Sequence, residues 1–255
     1  MKTRHVLSVG VLAALMTSAQ AATPITDGLY FELIADDIAG AMNGDAITSW
    51  TDTVSGNVLA GNATYNSNFA NGHASLTFTN AQLMEDATLE GSIPSTENMT
   101  MFLVGTTLTT ATNGQQSYFF GQRVGNDRFR VTKNTNQTTY AARVGGGAGF
   151  TTGSGVTLDT LEVFSLRSGG NAVQFNRNGT EIGTGGNGAG IALGRVQLAN
   201  GLNADIAEVL IYDRALTDVE VGEVEAYLTA KYVPEPSTGA LLGFAGLALI
   251  LRRRK

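Results

Sequence analysis

The sequence predicts an all-β fold, a sandwich of antiparallel strands closed by one helix near the end of the body. Three observations carry that expectation. The body is rich in Gly, Asn and Thr, and its apolar segments are short, carry β-branched and aromatic side chains, and are separated by turn residues, as sandwich sequences are. Several segments alternate: in Arg128, Phe129, Arg130 and Val131 the charged and apolar residues take turns, and successive strand residues point to opposite faces. Asn178 and Gly179 lie between Gln174-Phe175 and Glu181-Ile182, and an Asn-Gly pair favours the positive backbone angles of a type I′ hairpin turn.

The elements follow in chain order. Lys2, Arg4 and His5 form a basic start, Val6 to Met16 an apolar core, and Ala19, Gln20 and Ala21 a small-x-small pattern. Residues 1–21 therefore read as a signal peptide cut by signal peptidase, with the mature chain beginning at Ala22. Strands are expected at Ser75–Phe78, Thr100–Thr106, Ser117–Gln122, Arg128–Thr132, Thr139–Val144, Leu161–Arg167, Ala172–Arg177, Arg195–Leu198 and Asp205–Tyr212. One helix follows them. Thr217 caps it, Glu220 reaches back three residues to complete a capping box, and Val221, Val224, Leu228 and Tyr232 fall on one stripe. Lys231 suits the negative end of the helix dipole. Residues 22–232 are long enough for one all-β domain.

The tail has a different character. Val233, Pro234, Glu235, Pro236, Ser237 and Thr238 lead into an uncharged run from Gly239 to Leu251, which ends in Arg252, Arg253, Arg254 and Lys255. Terminal cations resist transfer through a bilayer and hold their end in the cytoplasm. Ser237 to Leu251 is fifteen residues, short of the roughly 20 that span comfortably, which suits a temporary hydrophobic helical anchor. The triplet, apolar run and arginines resemble the PEP-CTERM sorting signal of bacterial exported proteins, here residues 233–255. That resemblance implies transient residence in the inner membrane and recognition by an exosortase. Pro234, Glu235 and Pro236 would be the processing site, and the body would reach the cell surface or extracellular matrix of a Gram-negative-type bacterium.

The body carries a second resemblance. The phrase from Ala204 to Leu216, followed by the helix, is similar to the closing strand and helix of LamG-like, concanavalin A-type jelly rolls. Leu29-Tyr30-Phe31, the Trp50-Thr51-Asp52 segment, the Ser55-Gly56-Asn57 turn and the Asn71-Gly72 strand resemble the same family's opening. The resemblance implies a concanavalin A-like antiparallel β-sandwich with one short C-terminal helix.

Composition narrows the function. The chain has sixteen basic and twenty-two acidic residues; leaving out Lys2, Arg4, the three terminal arginines, Lys255 and Glu235 gives the body ten and twenty-one, a formal charge of minus eleven. Nucleic acid is not an expected partner, since the ten cations are scattered from Arg123 to Lys231 and phosphate backbones require a cluster. There is no cysteine, so disulfides, zinc-thiolate sites and thiol redox chemistry are excluded and stability must come from a core. His73 is the single histidine of the mature body and sits in a turn-like stretch, where a structural or exposed role is expected.

Catalytic motifs are missing. Glucanases of the concanavalin A-like superfamily carry Glu-x-Asp-x-x-Glu or a close variant, which sets two carboxylates about the scissile bond. No such run occurs, and the clusters Asp205 with Glu208 and Glu85 with Asp86 have other spacings. An odd separation puts Asp205 and Glu208 on opposite faces of a regular strand. Gly183, Gly185 and Gly188 match GxGxxG, but the motif needs a strand before it and a helix after it, and residues 186–190 read as loop, as does the glycine-rich 145–149. Asn-x-Thr sequons begin at Asn62, Asn98, Asn136 and Asn178 and carry little weight in a bacterial exosortase client. Calcium is the ion that the jelly-roll resemblance implies, with Asp36, Asp37, Asp45 and Asp52 as the nearest acidic group, although their plainer role is as solvated loop charges. Trp50 is a candidate sugar-stacking residue whose simpler role is core packing.

The sequence thus points to a non-catalytic surface or matrix protein that associates with extracellular polysaccharide or surface proteins. A polysaccharide-cleaving enzyme and a purely structural coat protein are the alternatives.

Overall fold

The structure is a computed structural model that describes residues 22–79, 82–86, 98–108, 116–122, 128–133, 139–143, 150–169, 172–186 and 196–233. The signal peptide with Ala19 and Ala21, residues 145–149, Gly188, Asn136, and the tail with Pro234, Glu235, Pro236 and Arg252 to Arg254 lie outside the described residues.

Fifteen strands are described: β1 (Leu29–Ile34), β2 (Ala46–Thr51), β3 (Val58–Ala70), β4 (His73–Phe78), β5 (Met84–Asp86), β6 (Met99–Thr107), β7 (Gln116–Gln122), β8 (Arg128–Lys133), β9 (Thr139–Arg143), β10 (Phe150–Gly155), β11 (Leu161–Gly169), β12 (Ala172–Arg177), β13 (Thr180–Gly186), β14 (Val196–Asn200) and β15 (Ala204–Tyr212). A 3-10 turn spans Ala35–Asp37 and the helix α1 spans Asp218–Tyr232. Each of the nine expected strands is present within a residue or two of its expected ends. Gly183 and Gly185 lie inside β13, and Gly186, expected to begin a loop, instead closes that strand; residues 187–190 of the expected loop lie outside the described residues.

The strands join antiparallel in the order β10-β9-β8-β7-β14-β5-β3-β4-β15-β6-β11-β12-β13, with β1 added to β15 and β2 to β3. This path folds back on itself. Tyr118 of β7 and Tyr140 of β9 meet Phe164 of β11 at ring distances of 5.5 and 5.0 Å, so strands far apart along the path face each other across one core. That inner core holds Phe31, Trp50, Leu76, Phe78, Leu103, Leu198 and Ile206 among others, and the arrangement is a β-sandwich.

One sheet is covered on its outer side as well. Val221, Val224, Leu228 and Tyr232 of α1 pack on Phe102, Val104, Val163, Leu210 and Tyr212, which explains why every residue of β15 is buried. The capping box forms as expected, with Glu220 N donating to Thr217 Oγ1 and Thr217 N to Glu220 Oε2. The Asn178-Gly179 turn also forms, at φ of +50° and +75°, and pairs Arg177 with Thr180.

β15 departs from regular alternation. Ile206 pairs with Gly105 and Glu208 with Val104, leaving Ala207 as the extra residue of a β-bulge. Ile206 and Val209 both enter the inner core, so the bulge reverses the count of faces. Asp205 and Glu208 consequently share the outer face, contrary to the expectation from a regular strand. A side chain at Gly105 would put its Cβ 2.5 Å from the Asp205 carbonyl oxygen, so the close approach at the bulge requires glycine.

Candidate functional site

The outer face of β11 to β13 meets the start of α1 in an open cleft of about 500 Å³. A cross-strand row forms its floor, because Arg167 of β11 is the register partner of Gln174 of β12, and Gln174 of Thr184 of β13. Ala215, Leu216 and Asp218 form one wall, and Glu181 and Asn98 also line the cleft.

Local chemistry holds that wall. Thr100 Oγ1 on β6 donates to the Arg214 carbonyl at 3.0 Å and accepts from Leu216 N at 2.9 Å. Arg214 grips Glu220 with both terminal nitrogens, at 3.0 and 2.7 Å. Those bonds, with the Thr217 backbone, hold the Glu220 carboxyl down to about 2. The first turn of α1 is therefore tied to the sheet before it reaches Asp218.

Arg167 organises the floor. Its Nη1 donates to Leu216 O at 2.9 Å, and its Nη2 contacts Gln174 Oε1 and Asp218 Oδ1, each at 2.6 Å. Gln174 passes the order on, donating from Nε2 to Glu181 Oε2 at 2.8 Å. The cleft thus presents a guanidinium, an amide and two carboxylates as planar donors and acceptors in fixed orientation, the kind of surface that hydroxyl-rich molecules can match. None of its described lining residues is aromatic.

Other ionisable groups are built into the interior. Glu162 accepts from Tyr140 OH and lies 3.3 Å from Arg177 Nη1 between the sheets. Asp205 accepts from Thr77 and Ser75, and Glu208 from Lys231 and Tyr232. Burial pushes all three carboxyls above the ordinary carboxylate range. Lys231 is an enclosed ion-pair partner of Glu208 at 2.6 Å as well as a basic residue of the helix's last turn.

Trp50 is only 1% exposed, and its Nε1 donates to Ile34 O at 3.2 Å. It is a core residue and offers no ring face to a ligand. Asp36 accepts from Ala74 N and faces His73 Nδ1 at 2.6 Å, and the His73 ring lies 5.2 Å from that of Tyr232. Asp45 accepts from Met42 N. Asp52 is buried and accepts from Glu32 N, Val54 N, Ser55 N and Ser55 Oγ. Asp37 is exposed on the 3-10 turn. Three of these aspartates tie turns together, and among the described residues no three His, Asp or Glu side chains converge on a possible metal position. Asn178 Oδ1 accepts from Val163 N, so its side chain serves the hairpin.

The cleft residues Arg167, Gln174, Glu181 and Asp218 form no motif. They come from three strands and a helix, and the register of β11 to β13 brings them together.

The PEP-CTERM protein-sorting motif matches residues 233–255. No curated protein matches the chain. Among solved structures, the fold is similar to Trypanosoma rangeli sialidase in complex with 2,3-difluoro-KDN, at 15% identity and a TM-score of 0.58, over 88% of this chain and 37% of that one. It is also similar to domain 4 of AbnA, a GH43 extracellular arabinanase from Geobacillus stearothermophilus, in complex with arabinotriose. There the identity is 15% and the TM-score 0.52, over 64% of this chain and 81% of that one. The chain spans little more than a third of the sialidase. These likenesses show a shared fold, consistent with the concanavalin A-like jelly roll. Among the described residues no helix is long and apolar enough to cross a membrane.

Proposed function

We propose that this protein is sorted to the surface or matrix of a Gram-negative-type bacterium and binds extracellular polysaccharide there without cutting it. The sorting motif at residues 233–255 implies processing by an exosortase during export. The N-terminal pattern supports removal by signal peptidase at Ala21, and the tail would hold the chain in the inner membrane until it is processed. The observation that carries the binding role is the cleft, where Arg167, Gln174, Glu181 and Asp218 form one preorganised polar network. Preorganised groups lose little freedom when a ligand binds.

A second reading has a specific observation behind it: Glu181 and Asp218 are two carboxylates lining one cleft, the arrangement that glycosidic cleavage uses. Against it, Asp218 is 84% exposed and engaged by Arg167, and Glu181 is exposed and engaged by Gln174. Neither is enclosed as a general acid in a glycosidase usually is.

Affinity electrophoresis of the full chain in detergent tests both readings. The gels contain the host's exopolysaccharide, with and without calcium, and the same polymer is assayed for new reducing ends. Retardation without cleavage, lost in Gln174→Ala, is the expected result. Cleavage that disappears in Glu181→Gln would transfer the assignment to a hydrolase, and retardation that requires calcium would point to acidic loops instead of the cleft. Absence of both effects would leave a structural coat or a protein partner.

A further inference from the structure

The folded body runs directly into the sorting motif. Tyr232, the last residue of α1, is fully buried. Val233 caps the helix, its N donating to Thr229 O at 2.8 Å, and Pro234, Glu235 and Pro236 follow at once in the sequence. The last turn of α1 is clasped to the body from several elements. Lys231 Nζ and Tyr232 OH meet Glu208 Oε2 of β15 at 2.6 and 2.8 Å. Asn71 Nδ2, in the turn between β3 and β4, donates to the Lys231 carbonyl at 2.9 Å, one of the carbonyls that a helix end leaves without a helical partner. The His73 ring, with Nδ1 facing Asp36, lies 5.2 Å from that of Tyr232.

Chain length makes this clasp matter. Five residues, Pro234 to Thr238, separate Val233 from the apolar run that begins at Gly239, and even a fully extended chain covers only roughly 20 Å over that stretch. An enzyme that takes the triplet as an extended segment also needs chain on its amino-terminal side, and that chain is the end of α1. We infer that the exosortase acts on a form in which the last turn of α1 has left the body, so that the clasp of Asn71, Glu208, Lys231 and Tyr232 sets the rate of tail removal, which rests on Pro234, Glu235 and Pro236 being the processing site. Local openings of this kind cost less than global unfolding. Where opening and closing are fast, cutting of the open segment tracks its population. The body thereby delays its own release from the membrane.

The test is a pulse-chase of the full chain in the host that carries its exosortase, following the half-life of the tail-bearing form. Asn71→Gly removes the bond to the Lys231 carbonyl while accepting the positive backbone angle at that turn, φ of +49°. It should shorten the half-life roughly fivefold, the equivalent of one hydrogen bond. Inserting Gly-Ser-Gly-Ser between Val233 and Pro234 supplies the extended chain directly; it should speed processing at least as much, and Asn71→Gly should then add nothing. Ile47→Val trims the inner core, a separate cluster from the one beneath α1, and should lower the urea midpoint with the parent's half-life unchanged. Equal half-lives in the parent, Asn71→Gly and the insertion would overturn the inference, as would processing slowed by the insertion or quickened as much by Ile47→Val as by Asn71→Gly. Glu235→Ala should stay uncut in every background; cutting at the parent's rate there would sink the processing reading itself, a failure distinct from that of the clasp.

Discussion

Glu208 lies under α1 with Lys231 Nζ at 2.6 Å and Tyr232 OH at 2.8 Å on one oxygen, while its Oε1 has no protein partner. Removing one member of such a pair strands the other as an uncompensated buried charge, at a cost of about 3–5 kcal/mol. Lys231→Met, which leaves the Glu208 carboxylate buried without its cation, is therefore expected to lower the unfolding free energy by that amount in urea titrations. Glu208→Gln with Lys231→Met should recover most of the loss, and a double variant no more stable than the single one would show that the two groups are not coupled. Little of this was legible in the sequence. Counting alternation put Asp205 and Glu208 on opposite faces, because the bulge at Ala207 has no signature in a residue count. Lys231 read only as a complement to the helix dipole, since its partner lies 23 residues away on another element.

Where an element depends on its own few residues, sequence and structure agree. The α1 capping box and the Asn178-Gly179 hairpin are both local, and both stand where their residue types placed them. The cleft is the opposite case, because Arg167, Gln174 and Glu181 become neighbours only through the register of β11, β12 and β13. Thr217→Ala should cost about 1 kcal/mol through the lost cap. It should also weaken polysaccharide retardation, because the cap seats the cleft wall beside Asp218; full retardation in a destabilised variant would separate the helix start from the cleft. Gly179→Val forces a β-branched residue to φ of +75°, a strained conformation costing roughly 1–3 kcal/mol, which thermal unfolding would reveal. Further along, α1 ends at Tyr232 and the sorting motif begins at Val233. Glu235→Ala is expected to keep the chain in the membrane fraction with its tail attached, and release equal to that of the parent would remove the triplet from processing.

Across the molecule, acid stability follows from opposing groups of carboxylates. Glu162, Asp205 and Glu208 are pushed up by burial, so the folded chain takes protons there before the unfolded chain does. Between their raised values and the ordinary carboxylate value, stability must rise as pH falls, because the native state binds more protons in that window. Glu220 works in the other sense. Arg214 and Thr217 hold it down to about 2, so its contribution is complete above the ordinary carboxylate value and is lost as pH falls toward 2. The body's charge of minus eleven adds to the first trend, since protonation relieves self-repulsion. Urea midpoints measured from pH 7 downward should therefore climb on approaching the ordinary carboxylate range, then drop below about pH 4 as Glu220 releases Arg214 and the start of α1. Glu208→Gln with Lys231→Met should flatten the climb, and Glu220→Gln should flatten the drop while leaving the climb in place. A midpoint that falls steadily from pH 7 would mean that the buried carboxylates are held ionised by their partners, which would make Lys231 and Arg177 stronger than desolvation.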